Sequence, residues 1–142
     1  MDKIKQDLSL VAGRINNAFH LYRSIGESEE IPGCIVLAYQ EFENPNVIKH
    51  WIDTVIEAVL SDEPKKDTGG LSGHFHISTD NTSMLNYAEW RNAEAHQAAL
   101  DNANNGTIGS SEAWKKVTKI NGLKGRGTAD RYTFYKSINA YA

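Results

Sequence analysis

Two residues in the segment 83–90 have the types and spacing for ligand chemistry, Asn86 and Trp90. Side chains alternate along a strand, so Met84, Asn86, Ala88 and Trp90 share one face, and Leu85, Tyr87 and Glu89 the other. At a rise of about 3.3 Å per residue, Asn86 and Trp90 stand about 13 Å apart, enough to bracket one flat ligand. The amide offers a donor and an acceptor, and the indole offers a wall. An asparagine in mid-strand runs against strand propensity, which points toward a use beyond packing. The plainer account is an asparagine that satisfies a local backbone group and a tryptophan in the core.

Other residues carry weaker signals. His74 and His76 are two apart and share a strand face. Two histidines on one face can start a metal site, but no third ligand lies near them in sequence. A polar pair lining a pocket or an interface is the preferred reading, and no metal is expected. Cys34 has no activating partner and reads as a small buried hydrophobe. The run Gly122-Leu123-Lys124-Gly125-Arg126-Gly127 lacks the spacing of a phosphate loop and reads as a surface loop. Asn81-Thr82-Ser83 and Asn105-Gly106-Thr107 match a glycosylation acceptor, but read as turns.

The elements that must position these groups follow from periodicity. Ile4, Leu8, Val11, Ile15, Phe19 and Tyr22 recur at helical steps, predicting an amphipathic helix over residues 1–28. Residues 34–42 are short, apolar and β-branched, predicting a strand. Asn44 and Pro45 then supply a cap and a helix-start proline. The helix they open carries Val47, Ile48, Trp51, Ile52, Val55, Ile56, Val59 and Leu60 on one broad stripe. Residues 71–79 and 83–90 read as a hairpin. Asn92 caps a second helix, and Ser110 or Ser111 a short one holding Trp114 and Val117. A last strand is expected near residues 131–139. The order after the first helix is β-α-β-β-α-(α)-β, the split βαβ arrangement of ferredoxin-like α+β folds. Such an antiparallel sheet has helices on one face, and a second copy of the sheet is the common cover for the other. A homodimer closed as an α/β barrel is therefore expected.

Composition bounds the rest. The 142 residues suit a single domain. A net charge of −3 and a pI near 5.9 match neither nucleic acid nor anionic membrane, which call for clustered Lys and Arg. No apolar run approaches the roughly 20 residues of a membrane helix, and no signal-peptide core follows Met1. A single Cys forms no internal disulfide, which favours a reducing, cytoplasmic setting.

The stretch Leu71-Ser72, His76-Ile77-Ser78-Thr79-Asp80, Asn86-Tyr87-Ala88-Glu89-Trp90 and Ala93-Glu94-Ala95-His96 resembles the antibiotic biosynthesis monooxygenase family. The resemblance spans roughly residues 32–140, so residues 1–28 read as an extension and 32–142 as the family-like domain. It implies a cofactor-independent oxygenase acting on an aromatic polyketide, with O₂ as co-substrate and neither metal nor flavin. It implies site roles for Asn86 and Trp90, with His96 where some members carry a tyrosine. His76 or His96 would be the base, and His74, His76, Trp51, Phe75 and Trp114 would line the substrate pocket. The family also uses an arginine after this helix. None aligns here, and Lys115 and Lys116 are the nearest cations. A cyclase or isomerase on the same fold, or a non-catalytic binding or accessory protein, stays open beside the oxygenase.

Overall fold

A computed structural model describes residues 18–62, 67–104 and 111–138. Strands β1 (Phe19–Ile25) and β2 (Cys34–Phe42) lead into a 3₁₀ turn at Pro45–Val47 and helix α1 (Ile48–Asp62). The hairpin β3 (Gly70–Ser78) and β4 (Ser83–Trp90) follows, then α2 (Ala93–Asn104), α3 (Glu112–Thr118) and β5 (Leu123–Tyr132). The strands form one antiparallel sheet in the order β1-β3-β4-β2-β5. From β2 onward this is the expected ferredoxin-like α+β arrangement, with β1 added at one edge.

The caps lie where the sequence puts them. Asn44 Oδ1 accepts from the amide of Asn46, Asn92 Oδ1 from Ala95 and Ser111 Oγ from Trp114. Helix α1 buries Ile48, Ile52, Val55 and Ile56 against Phe42, Phe75, Ile77 and Met84 of the sheet. The β3–β4 turn is held by side chains. Ser78 Oγ donates to Asp80 Oδ1 at 2.7 Å and accepts from the amides of Thr82 and Ser83. The His-x-Ser-x-Asp sequence is thus a hairpin staple.

Two segments depart from expectation. The helix expected over residues 1–28 gives way to strand β1 at Phe19–Ile25, which pairs with β3; residues 1–17 lie outside the described residues. Phe19 and Tyr22 fit a helical step, but they also fit a strand with the irregularity found between Leu21 and Arg23. The ladder to β3 satisfies the backbone of this segment, and that non-local term decides it. The segment therefore belongs to the sheet rather than to an appended helix.

The second departure is the glycine-rich run, expected as a loop before a strand near 131–139. It lies instead at the start of β5, which ends at Tyr132. Between Tyr39 and Glu41 the partner strand runs from Thr128 to Lys124, so β5 carries a bulge here. Gly125 takes φ +67°, and a Cβ at Gly127 would lie 2.8 Å from Gln40 Oε1. Glycine is what permits this close approach.

The buried stripe of α1 gives a stability prediction. Ile52 is fully buried, whereas Leu60 on the same helix is half-exposed. Ile52→Ala should cost about 2–5 kcal/mol in urea unfolding. Leu60→Ala should stay within about 0.5 kcal/mol.

Candidate functional site

The sheet sorts the candidate residues onto two sides. Met84, which packs in the core under α1, sets the helix side of β4, and alternation puts Asn86, Ala88 and Trp90 on that side. Across the sheet Asn86 registers with Phe75 on one side and Ala38 on the other, and Ala38 with Ala129. The row Phe75–Asn86–Ala38–Ala129 is thus mostly small on the β2 and β5 side. Asn86 and Ala38 stay half-buried among the described residues. Helix α1 packs with α3, while α2 meets β4.

Asn86 does satisfy a backbone group. Its Oδ1 accepts from the amide of His74 at 3.1 Å. That contact settles the orientation of the amide and leaves Nδ2 with no hydrogen-bond partner among the described residues. Trp90 Nε1 has no partner among them either. The Trp90 ring lies 5.1 Å from the ring of His96, tilted by 59°. The expected trio of Asn86, Trp90 and His96 thus shares the helix side, with the last two in contact.

His96 is buried on α2, only 7% exposed. Its Nδ1 accepts from Arg131 Nε at 2.8 Å, and Arg131 Nη2 donates to Gln97 Oε1 at 2.6 Å. Arginine has no acceptor, so Nδ1 carries the lone pair and the proton of the neutral ring is on Nε2. Burial first, and the Arg131 charge second, push the His96 pKa below its ordinary value. His96 in this geometry is a neutral donor. For a base role the relevant geometry is that Nδ1 is engaged by Arg131 while Nε2 carries the proton.

Arg131 was not among the expected site residues. It lies in β5, 35 residues from His96, and registers with Val36, a core residue of the helix side. Strand alternation would have found it only with the start of β5 and its bulge known. Lys115 and Lys116, the expected nearest cations, lie on exposed positions of α3, where Lys115 pairs with Glu112 at 2.8 Å.

The two other histidines lie on the opposite side. His74 and His76 share a face, as their spacing requires, but it is not the face of Asn86. There they line a shallow concavity of about 350 Å³ with Phe19, Leu21, Leu85 and Tyr87. His74 Nδ1 lies 2.8 Å from Ser24 Oγ, and its Nε2 lies 3.1 Å from Ser72 Oγ. His76 Nδ1 lies 2.9 Å from the carbonyl of His74, so Nδ1 donates. Neither His74 nor His76 can share a ligand with Asn86 through the sheet. Phe75, Trp51 and Trp114 belong to the main core, with Trp51 edge-on to Phe42 at 5.6 Å. Of these, Phe75 adjoins Asn86 across β3–β4. Among the described residues no three His, Cys, Asp or Glu gather as a metal site would need.

The fold is shared with solved structures at low sequence identity. A monooxygenase from the ActVA-Orf6 gene of Streptomyces coelicolor, in complex with nanaomycin D, is similar at a TM-score of 0.60 and 21% identity over 76% of this chain and 92% of that one. LmHde, a heme-degrading enzyme of Listeria monocytogenes, is similar at 0.53 and 20% identity over 82% and 71%. A dimeric ferredoxin-like protein from an uncultured marine organism is similar at 0.54 and 11% identity over 79% and 96%. The sequence matches no family profile and no curated protein. Among the described residues no helix is long and apolar enough to cross a membrane.

The lowered His96 pKa has a consequence for stability. Between that lowered value and the ordinary 6.5, the unfolded chain binds a proton that the folded chain excludes. Stability should therefore fall as pH drops below about 6.5, and level off beneath the lowered value. Urea midpoints measured across this range should show the slope in the wild type, reduced in His96→Gln.

Proposed function

We propose that this protein is a cofactor-independent monooxygenase that oxidises an electron-rich aromatic compound, of the anthrone or phenol class, with O₂. The observation that carries this reading is the set of donors on the helix side. Asn86 Nδ2, Trp90 Nε1 and His96 Nε2 have no hydrogen-bond partners among the described residues, and all three suit an oxyanion. The likeness to a monooxygenase of known structure supports it.

The chemistry follows from the substrate. An anthrone loses a benzylic proton to water, giving an enolate whose oxygen is held by the donors at one end of the site. The enolate passes one electron to O₂, and the radical and superoxide combine into a C–O bond. The peroxide takes up a proton. Loss of the remaining benzylic proton and cleavage of O–O then expel water and leave a quinone carbonyl. Overall, anthrone and O₂ give anthraquinone and water. The protein's part is to lower the acidity barrier through Asn86 and His96, to wall the ring with Trp90, and to limit water.

The opposite face takes a second copy of the chain in this reading. Leu21 is more than half-exposed there, beside Phe19, Leu85 and Tyr87, and a solved protein of the same fold is dimeric. Leu21→Lys should shift the chain toward monomer in sedimentation velocity. A wild type that runs as a monomer at all concentrations removes the dimer.

The activity test uses metal-free protein, an anthrone and air, with a chelator present, following quinone absorbance and O₂ uptake together. Asn86→Asp keeps an oxygen for the His74 amide but replaces the ligand-facing donor with an acceptor. It should lower turnover at least about tenfold with an unchanged melting curve. Conversion without O₂ uptake assigns a cyclase or isomerase instead, and tight binding without conversion an accessory protein. A Soret band on adding haemin, with haem loss, would assign the heme-degrading chemistry of the Listeria relative.

A further inference from the structure

We infer that Arg131 is the positioning residue of this site: by occupying Nδ1 of His96 it fixes the imidazole as a neutral Nε2–H donor facing an acceptor atom of the ligand, a carbonyl or phenolate oxygen. The inference rests on reading the helix side as the ligand site.

Three observations carry it. The contact from Arg131 Nε to His96 Nδ1 is short, at 2.8 Å, and part-buried. The guanidinium is held at a second point, since Nη2 donates to Gln97 Oε1 one residue along α2. The imidazole is constrained by a second ring too, because Trp90 lies against it at 5.1 Å. Arg131 comes from β5, His96 from α2 and Trp90 from β4, so three elements lock one ring. Among the described residues Arg131 is the charged group that reaches His96, and no carboxylate there favours the imidazolium. A cation bonded to Nδ1 excludes a proton there, so the one ring proton stays on Nε2 and a second is disfavoured. A ring with a carboxylate on Nδ1 would work the other way, as a base.

The chemical class of the ligand follows. With Oδ1 of Asn86 turned to the His74 amide, the groups left for a ligand are Asn86 Nδ2, Trp90 Nε1 and His96 Nε2, all donors. A flat ligand with an oxygen at each end, one toward Asn86 and one toward the Trp90–His96 pair, satisfies them. An edge of N–H or O–H donors alone would leave donor facing donor.

Nitrogen-15 NMR of the histidine rings tests this without reference to turnover. In the wild type, His96 Nδ1 should resonate as an unprotonated nitrogen and Nε2 as a protonated one. A through-hydrogen-bond coupling should link Nδ1 to Arg131 Nε. In Arg131→Leu the coupling should vanish and His96 should titrate at higher pH. Gln97→Ala, which leaves β5 untouched, should move the titration the same way by less. Addition of 4-nitrophenolate should shift the Nε2 proton of wild-type His96 and leave the ring neutral. A proton on Nδ1 in the wild type, or a titration unmoved in both variants, overturns the inference while leaving the oxygenase assay to stand by itself. Loss of turnover evidence with the NMR result intact would remove the oxygenase and keep the donor site.

Discussion

Gln40 is a buried amide in β2, and its Nε2 donates to the carbonyls of Glu41, Lys124 and Gly125 at 2.8, 3.4 and 3.2 Å. The Lys124 and Gly125 carbonyls belong to the bulge at which β5 joins the sheet, so one side chain satisfies backbone that the bulge takes out of the ladder. The helix-side site depends on this arrangement. The register shifts by two residues here, so without the bulge Arg131 would keep its face but slide two positions along β2, about 7 Å, away from His96. His96 would then face no cation, and its ring no fixed tautomer. A buried polar group far from Trp90 thus decides what kind of histidine stands beside Trp90.

The parts of the fold legible in the sequence are those with a local cause. Asn44, Pro45, Asn92 and Ser111 mark helix starts through hydrogen bonds within three residues, and the stripe on α1 is a period visible in one segment. Strand β4 was legible for the same reason. The parts that were not legible have distant causes. Phe19–Ile25 becomes a strand because β3 stands ready to pair with it. The glycine run enters β5 because Gln40, about 85 positions away, holds its carbonyls. Neither term leaves a trace in the spacing of neighbouring residues.

The site divides along the same line. Asn86 and Trp90 come from one strand, and alternation alone places them together. His96 follows from the Asn92 cap and the turn of α2. Arg131 belongs to another element at the sheet edge and had no signal of its own. For His74 and His76, spacing gave the right relation between the two rings and no relation to Asn86. Alternation fixes which residues share a face, and it needs a third dimension to say what each face meets. The sheet therefore separates two polar groups: Asn86, Trp90 and His96 on the helix side, and paired histidines on the opposite side among Phe19, Leu21, Leu85 and Tyr87.

Arg91, the residue after Trp90, clasps Glu30 through Nε at 2.7 Å and Asp67 through Nη1 at 3.0 Å, while its backbone bonds Gly33 and Gly69. Three chain segments meet at this one side chain: the β1–β2 connection, the approach to β3, and the end of β4. The charges are exposed and screened by salt, whereas the backbone contacts are not. Ionic strength therefore acts on this corner as a tuning of amplitude: added salt frees the Glu30 and Asp67 side chains to move while the strand ends keep their register. The border of the sheet at the end of β4 is softened by its medium, and the strand itself is not.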